Sequence, residues 1–278
     1  MKLVSTESKQ VLLAHLFNSA QGRQTWPPHR CNSFPRYCIR VLPVVRFRML
    51  FSRDFFRAAA LCSFVSAFTT LGLIFLHHWY PAAQSLEERV AREAHPVYTA
   101  YLWIYFVHPF FTLTAALAAA INLARRSAGT ALTGFMFFFI WGFTEMAQQS
   151  LTLIARHQIW SAAYRRTSDE ASRAAIANFL QGYDAVWDGL YALIVVAFLL
   201  ANLLYGIAAW KGPELTRYVS WAYLAAAFLG IFTVGSGLGW WNEPAAVDWI
   251  YPLIQPAARA FIGVWLWRTG PIDFRAAS

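Results

Sequence analysis

Residues 130–155 read TALTGFMFFFIWGFTEMAQQSLTLIA. The run from Phe135 to Trp141 is unbroken apolar and aromatic sequence, and the segment exceeds the roughly 20 residues that carry an α-helix across a hydrocarbon core about 30 Å thick. It then turns polar at Thr144, Glu145, Gln148 and Gln149. The first half reads as a membrane span. The second sets a carboxyl and two amides at membrane depth, where polar groups are expensive and face a bundle interior or a water-filled cavity.

Five more segments pass the same test of length and apolarity: 55–76, 96–123, 185–210, 219–239 and 247–267. Arg57 sits at the start of the first, where it can snorkel to the interface. Backbone N–H and C=O groups in lipid must be satisfied within the segment, so runs of this length are helices. The expected fold is all-α, an integral membrane bundle of six transmembrane helices. The whole chain agrees: 58% of its 278 residues are hydrophobic, 17% aromatic and 13% charged, against about 25% charged in a soluble domain. That excludes an ordinary soluble globular protein.

The net charge of +9 would raise nucleic acid as a partner on a soluble chain. Residues 1–48 hold eight basic residues and one acid, however, leaving fifteen against thirteen for the rest. No nucleic-acid partner is expected. The chain divides into a basic N-terminal segment, 1–48, and a six-span membrane domain, 49–278. The first lacks spanning length and a secretory cleavage site. It reads as a disordered cytoplasmic tail, an over-extended reading frame starting ahead of Met49, or a transit peptide.

Orientation follows from Arg and Lys near span ends. With both termini cytoplasmic, the inner surface carries Arg46, Arg48, Arg53 and Arg57, then Arg125 and Arg126, Lys211 and Arg217, and Arg268 and Arg275. The outer loops mix signs, and one of them is a misfit because it holds Arg156, Arg165, Arg166 and Arg173. An amphipathic helix over 168–180, with Ala171, Ala174, Ala175, Ile176 and Leu180 towards its apolar side, is expected to rest at headgroup level and accommodate them. Trp and Tyr at the boundaries, among them Tyr164, Tyr183, Trp187, Trp210, Trp221, Trp240 and Trp265, read as interfacial anchors. In hydropathy and in the phrase Ile262-Gly263-Val264-Trp265-Leu266-Trp267 before a basic end, the chain resembles small six-span bacterial inner-membrane proteins. No motif names a family.

At 1.5 Å per residue, His108, Glu145 and Arg259 fall about 15–18 Å below the outer surface, on three different helices. Gln148 and Gln149 follow Glu145, Gln255 precedes Arg259 by one helical turn, and Asp184 and Asp188 lie above on the fourth span. The expectation is a polar funnel opening outward, with His108, Glu145, Gln148, Gln149, Asp188, Gln255 and Arg259 as candidate ligand or proton sites. Within it Arg259 holds an anionic group or Glu145, and Glu145 exchanges a proton with His108. Beside this stands a packing role, since a buried ion pair can fix register at little net gain in stability.

His77, His78 and His95 with Glu87, Glu88 or Glu93 lack helical metal-ligand spacing, so no metal is assigned. Only His108 lies at the depth a haem would need, and Cys31, Cys38 and Cys62 form no disulfide framework or zinc spacing. The cofactor is left undetermined, and no phosphate loop or nucleophile elbow appears. The functional expectation is a protein binding or moving a small molecule or lipid, its partners being the bilayer and that ligand. The alternative is an accessory subunit whose buried charges only fix packing.

Overall fold

The computed structural model describes residues 52–79, 83–237, 239–242 and 245–269, all within the unit Met49–Ser278. The basic segment 1–48, with Cys31 and Cys38, lies outside the described residues. Those described are helical and contain no strand: α1 (Arg53–Trp79), α2 (Leu86–Glu93), α3 (Pro96–Leu151), a π-helical stretch (Thr152–Ser161), α4 (Ala162–Arg166), α5 (Glu170–Trp210), α6 (Glu214–Gly237) and α7 (Ala245–Thr269). Four helical segments are long and apolar enough to cross a membrane, namely Arg53–Leu76, Pro96–Arg166, Glu170–Trp210 and Glu214–Ser236. This is a helical membrane protein.

The packing is that of a membrane bundle. The core is rich in small residues, with Ala59 and Ala60 of α1, Ala115, Ala116 and Ala118 to Ala120 of α3, and Ala197, Ala201, Ala208 and Ala209 of α5 all buried. Small side chains let backbones approach closely where apolar burial gives helices no reason to associate in lipid. The large apolar side chains point the other way: Phe68, Phe75, Met136, Phe143 and Phe228 are more than half exposed. An apolar perimeter of that kind is a lipid-facing surface.

At 56 residues α3 would span about 84 Å if straight, nearly three times the hydrocarbon core. It is not straight. Ser127 leaves the helical region (φ −147°, ψ 70°), its hydroxyl bonded to Thr130, and the two halves run back along each other. Gly142 lies against Leu113, the His108 and Trp141 rings are 6.4 Å apart, and Thr99 bonds His157 at 3.1 Å. These pairings are antiparallel about Ser127. The Ser127 turn lies at the same end as the start of α1, the α5–α6 turn and the end of α7: Arg57 stacks over Trp267, Asn122 donates to Thr269, and the Arg126 guanidinium reaches Gly212.

The opposite end carries α2, the π-helical stretch and α4, packed on a small cluster of Val90, Tyr164 and Leu180. The amphipathic segment expected over 168–180 forms instead the first turns of α5, continuous with the long apolar part of that helix. Asp169 caps it, its side chain accepting from the Ser172 amide, and the Ser172 hydrogen bonds hold the Asp169 carboxyl below the usual aspartate range. No breaker separates Leu180 from Ala185, because Gly182 is tolerated inside a helix. Ile176 and Leu180 turn inward as expected, while Ala171, Ala174 and Ala175 are exposed.

The close contact of α3 with α5 is testable at one glycine. A Cβ at Gly134 would lie 2.5 and 2.7 Å from ring carbons of Tyr205, whose hydroxyl is fixed on the Ala116 carbonyl at 2.9 Å. Gly134→Ala is expected to destabilise by about 1–3 kcal/mol through overpacking. Gly182→Ala, exposed and with nothing within 4 Å, is expected to stabilise by about 0.5–1 kcal/mol. Thermal unfolding in nonionic detergent measures both, and an unchanged melting temperature for Gly134→Ala contradicts the close approach.

Candidate functional site

Three stripes at helical spacing converge on one cavity. Tyr98, Tyr101, Tyr105 and His108 form the first on the leading half of α3. Trp141, Glu145, Gln149, Thr152 and Arg156 form the second on its returning half and the π-helical stretch. Tyr183, Trp187, Tyr191, Ile194 and Phe198 form the third on α5. Steps of three and four residues keep each set on one helix face. With Thr70 of α1, Thr233 of α6 and Gln255 and Arg259 of α7, they enclose about 1050 Å³. The cavity follows α5 from Tyr183 to Phe198, about 22 Å of helix.

The cavity floor is a cationic knot. Arg259 directs one guanidinium nitrogen at Ser66 Oγ, His108 Nε2 (2.7 Å) and Thr112 Oγ1 (2.7 Å), and the other at Gln255 Oε1 (3.3 Å). Its guanidinium carbon lies 5.9 Å from the centre of the Trp141 ring. Arginine can only donate, so His108 accepts at Nε2 and carries its proton on Nδ1. That proton goes to Thr69 Oγ1 at 2.8 Å, and Thr69 donates onward to the backbone of its own helix. Both His108 nitrogens are engaged. Beyond the floor lies a pocket of only about 40 Å³, shared with Ser63, Ser66 and Tyr223.

Glu145 stands apart from this knot. It is 6% exposed and lines the cavity, yet it makes no hydrogen bond and no ion pair among the described residues. The four ion pairs found there are Arg89–Asp184, Arg156–Glu93, Arg156–Asp184 and Arg173–Glu87. The expected pairing of Glu145 with Arg259 and proton exchange with His108 have no direct contact behind them. Depth sets the height of a side chain and not its rotation about the helix.

The cavity mouth is ionic. Arg156, 8% exposed, bonds Glu93 at 2.9 Å and Asp184, and it lies over the Tyr183 ring. Glu93, 1% exposed, also accepts from the Ser161 hydroxyl, and Asp184 accepts from Arg89 at 2.7 Å. Two of the four arginines expected in an outer loop pair with protein acids, Arg156 with Glu93 and Asp184 and Arg173 with Glu87, while Arg165 donates to the Val90 carbonyl and Arg166 to the Ala162 carbonyl. Headgroups are not needed for the two ion-paired arginines.

The other expected residues divide. Gln149 and Gln255 line the cavity and Asp188 lies exposed at its mouth. Gln148 does not line it, and donates instead to the Trp187 carbonyl at 3.0 Å, tying α3 to α5. Tyr183 and Trp187 line the cavity, Tyr164 lies under Arg173, and Trp265 is buried with its indole N–H on Thr216, so none of these is an interfacial anchor. Trp210, Tyr218, Trp221, Trp240 and Trp241 are exposed as anchors should be. Glu87, Glu88 and Glu93, weighed as metal ligands, face Arg173, the Gln84 amide and Arg156, and His95 caps α3. The side chains of His77 and His78 lie outside the described residues. Hydropathy passed over Tyr98, Tyr101 and Tyr105, although their spacing to His108 put all four on one face.

No family model, curated protein or solved structure matches the chain. The site is therefore read from its own chemistry.

The mouth network makes a specific prediction. Arg156→Met strands the Glu93 carboxylate and is expected to cost about 3–5 kcal/mol, as removal of one partner of a buried pair does. Adding Glu93→Gln is expected to recover much of that loss. Asp184→Asn, at a side chain about a third exposed, is expected to cost about 1 kcal/mol or less. Melting temperatures of the four proteins decide, and equal losses for Arg156→Met and Asp184→Asn contradict the buried assignment.

Proposed function

We propose that this chain is a six-pass membrane protein of a bacterial inner membrane, both termini cytoplasmic, that binds or moves a small amphiphilic molecule through a cavity open to the outer side. Six passes are supported by the antiparallel return of α3 at Ser127 and by α7, which packs beside α1 through the Ser63 hydroxyl and the Arg259 carbonyl at 2.7 Å. The orientation is supported by charge. The Ser127 end carries Arg53, Arg57, Arg125, Arg126, Lys211, Arg217 and Arg268 against Asp54 and Glu214, whereas the cavity end mixes both signs.

The observation that carries the binding function is the cavity itself. At about 1050 Å³ it is at the upper end of the range that holds small molecules. Its walls are aromatic, its floor and mouth charged, and a buried carboxyl faces it from one side. A bundle serving only as scaffold has no need of such a space, since membrane interiors are otherwise packed as closely as Ala115 to Ala120 are here. Packing roles fall to Arg259, His108 and Gln148, whose side chains are held by protein partners. Ligand contact falls to Glu145 and Asp188, joined by the cavity-facing sides of Gln149, Gln255 and the tyrosines, which also have protein partners.

Val195 lines the wall and is half-buried, so Val195→Trp fills part of the space without touching the floor. Native mass spectrometry of the purified protein is expected to show a retained small molecule or lipid on the parent and markedly less on Val195→Trp. A parent that flies at its bare chain mass, or equal retention by both proteins, contradicts the binding reading.

A further inference from the structure

We infer that the occupant of this cavity is an organic cation, an ammonium-type amphiphile whose positive centre sits against Glu145 between aromatic walls. This rests on the cavity being a binding site and goes on to name the chemistry of what it binds.

Three observations point the same way. The first is the state of the two buried charges. One guanidinium nitrogen of Arg259 is filled by Ser66, His108 and Thr112 and the other bonds Gln255 at 3.3 Å, so an anionic ligand meets a cation already supplied with acceptors. Glu145 is more than nine-tenths buried, lines the cavity and has no partner among the described residues. A buried carboxyl with no ionic contact is costly to keep ionised, and a cation placed beside it removes that cost.

The second is the wall. Of the 27 described lining residues, Tyr98, Tyr101, Tyr105, Trp141, Tyr183, Trp187, Tyr191 and Phe198 are aromatic. Tyr98 and Tyr101 have ring centres 5.9 Å apart, Tyr101 and Tyr105 5.4 Å, and Trp187 and Tyr191 stack at 5.2 Å. Ring faces attract cations, most strongly where water is excluded. Many of these rings stand along the path from the mouth to the level of Glu145.

The third is the charge balance. Among the lining residues Arg89, Arg156 and Arg259 face Glu93, Asp184, Glu145 and Asp188. The mouth pairs cancel one another and the floor cation is enclosed in neutral acceptors. Among the described lining residues, the carboxyl groups left to meet an incoming molecule are Asp188 at the exposed rim and Glu145 within. The described mouth residues carry Glu93, Asp184 and Asp188 against Arg89 and Arg156, and that excess of one negative charge favours a cation over an anion at the entrance.

The test uses two probes of nearly the same size and shape and opposite charge, tetraphenylphosphonium and tetraphenylborate. Each is titrated by equilibrium dialysis against the full-length protein in lipid nanodiscs, with empty nanodiscs subtracted for partition into lipid. Saturable binding of tetraphenylphosphonium is expected, tighter than that of tetraphenylborate by about tenfold or more. Glu145→Gln is expected to weaken it by about tenfold, and Glu145→Asp, which keeps the charge, to restore part of the affinity. Saturable binding that favours tetraphenylborate, or that Glu145→Gln leaves unchanged, overturns the cation assignment while the cavity remains a binding site. Absence of saturable binding by either probe also overturns it, and the retained mass in the parent and Val195→Trp proteins then decides the broader reading separately.

Discussion

Arg259 is a guanidinium held at membrane depth, and the bundle is arranged so that it never lacks acceptors. Ser66 comes from α1, His108 and Thr112 from the leading half of α3, Gln255 from the same helix one turn away, and Trp141 offers a ring face from the returning half. A charge in that position is costly unless the protein supplies its partners. Meeting that need draws α1, both halves of α3 and α7 together at one level. Below that level the helices close on small residues. Above it they part around the cavity.

The two buried charge systems have opposite characters. At the mouth, Arg156, Glu93 and Asp184 form a closed network in which each ion has an opposite ion, and its worth is in holding α2, the π-helical stretch and α5 in register. The floor has a cation solvated by neutral groups and, at a distance, a carboxyl with none. Closed networks fix structure, whereas an uncompensated group facing open space is available to a ligand. That contrast separates the residues fixed by packing from those proposed for binding more firmly than depth or polarity does.

Much of the fold was legible because a lipid core leaves few options: a span must be helical and about 20 residues long. The segment 130–155 was read as a helix and is one, through Leu151 and onward as π-helix. The π-helical stretch itself was hidden, since it is a shift in hydrogen bonding and not a change in hydrophobic period. It lies over the residues that present Arg156 to Glu93, which is why that arginine looked like a loop charge. The level of His108, Glu145 and Arg259 was also legible from helical rise. Rotation was not, and it joined His108 to Arg259 while setting Glu145 aside. The tyrosine stripe at 98, 101 and 105 carried its own spacing signal, but hydropathy counts such residues as part of an apolar span and so passes over the face they share.

Water access tests the central claim most directly, since a cavity open from one end and closed at Arg259 divides the buried aromatics into two groups. Hydroxyl-radical footprinting of the unmodified protein in nanodiscs, read out residue by residue, compares them without any substitution. The cavity-lining Tyr101, Tyr105 and Trp187 should be oxidised readily, and Tyr205 and Tyr223 on the closed side should be protected. Equal oxidation of both groups, or protection of the first, would contradict the account.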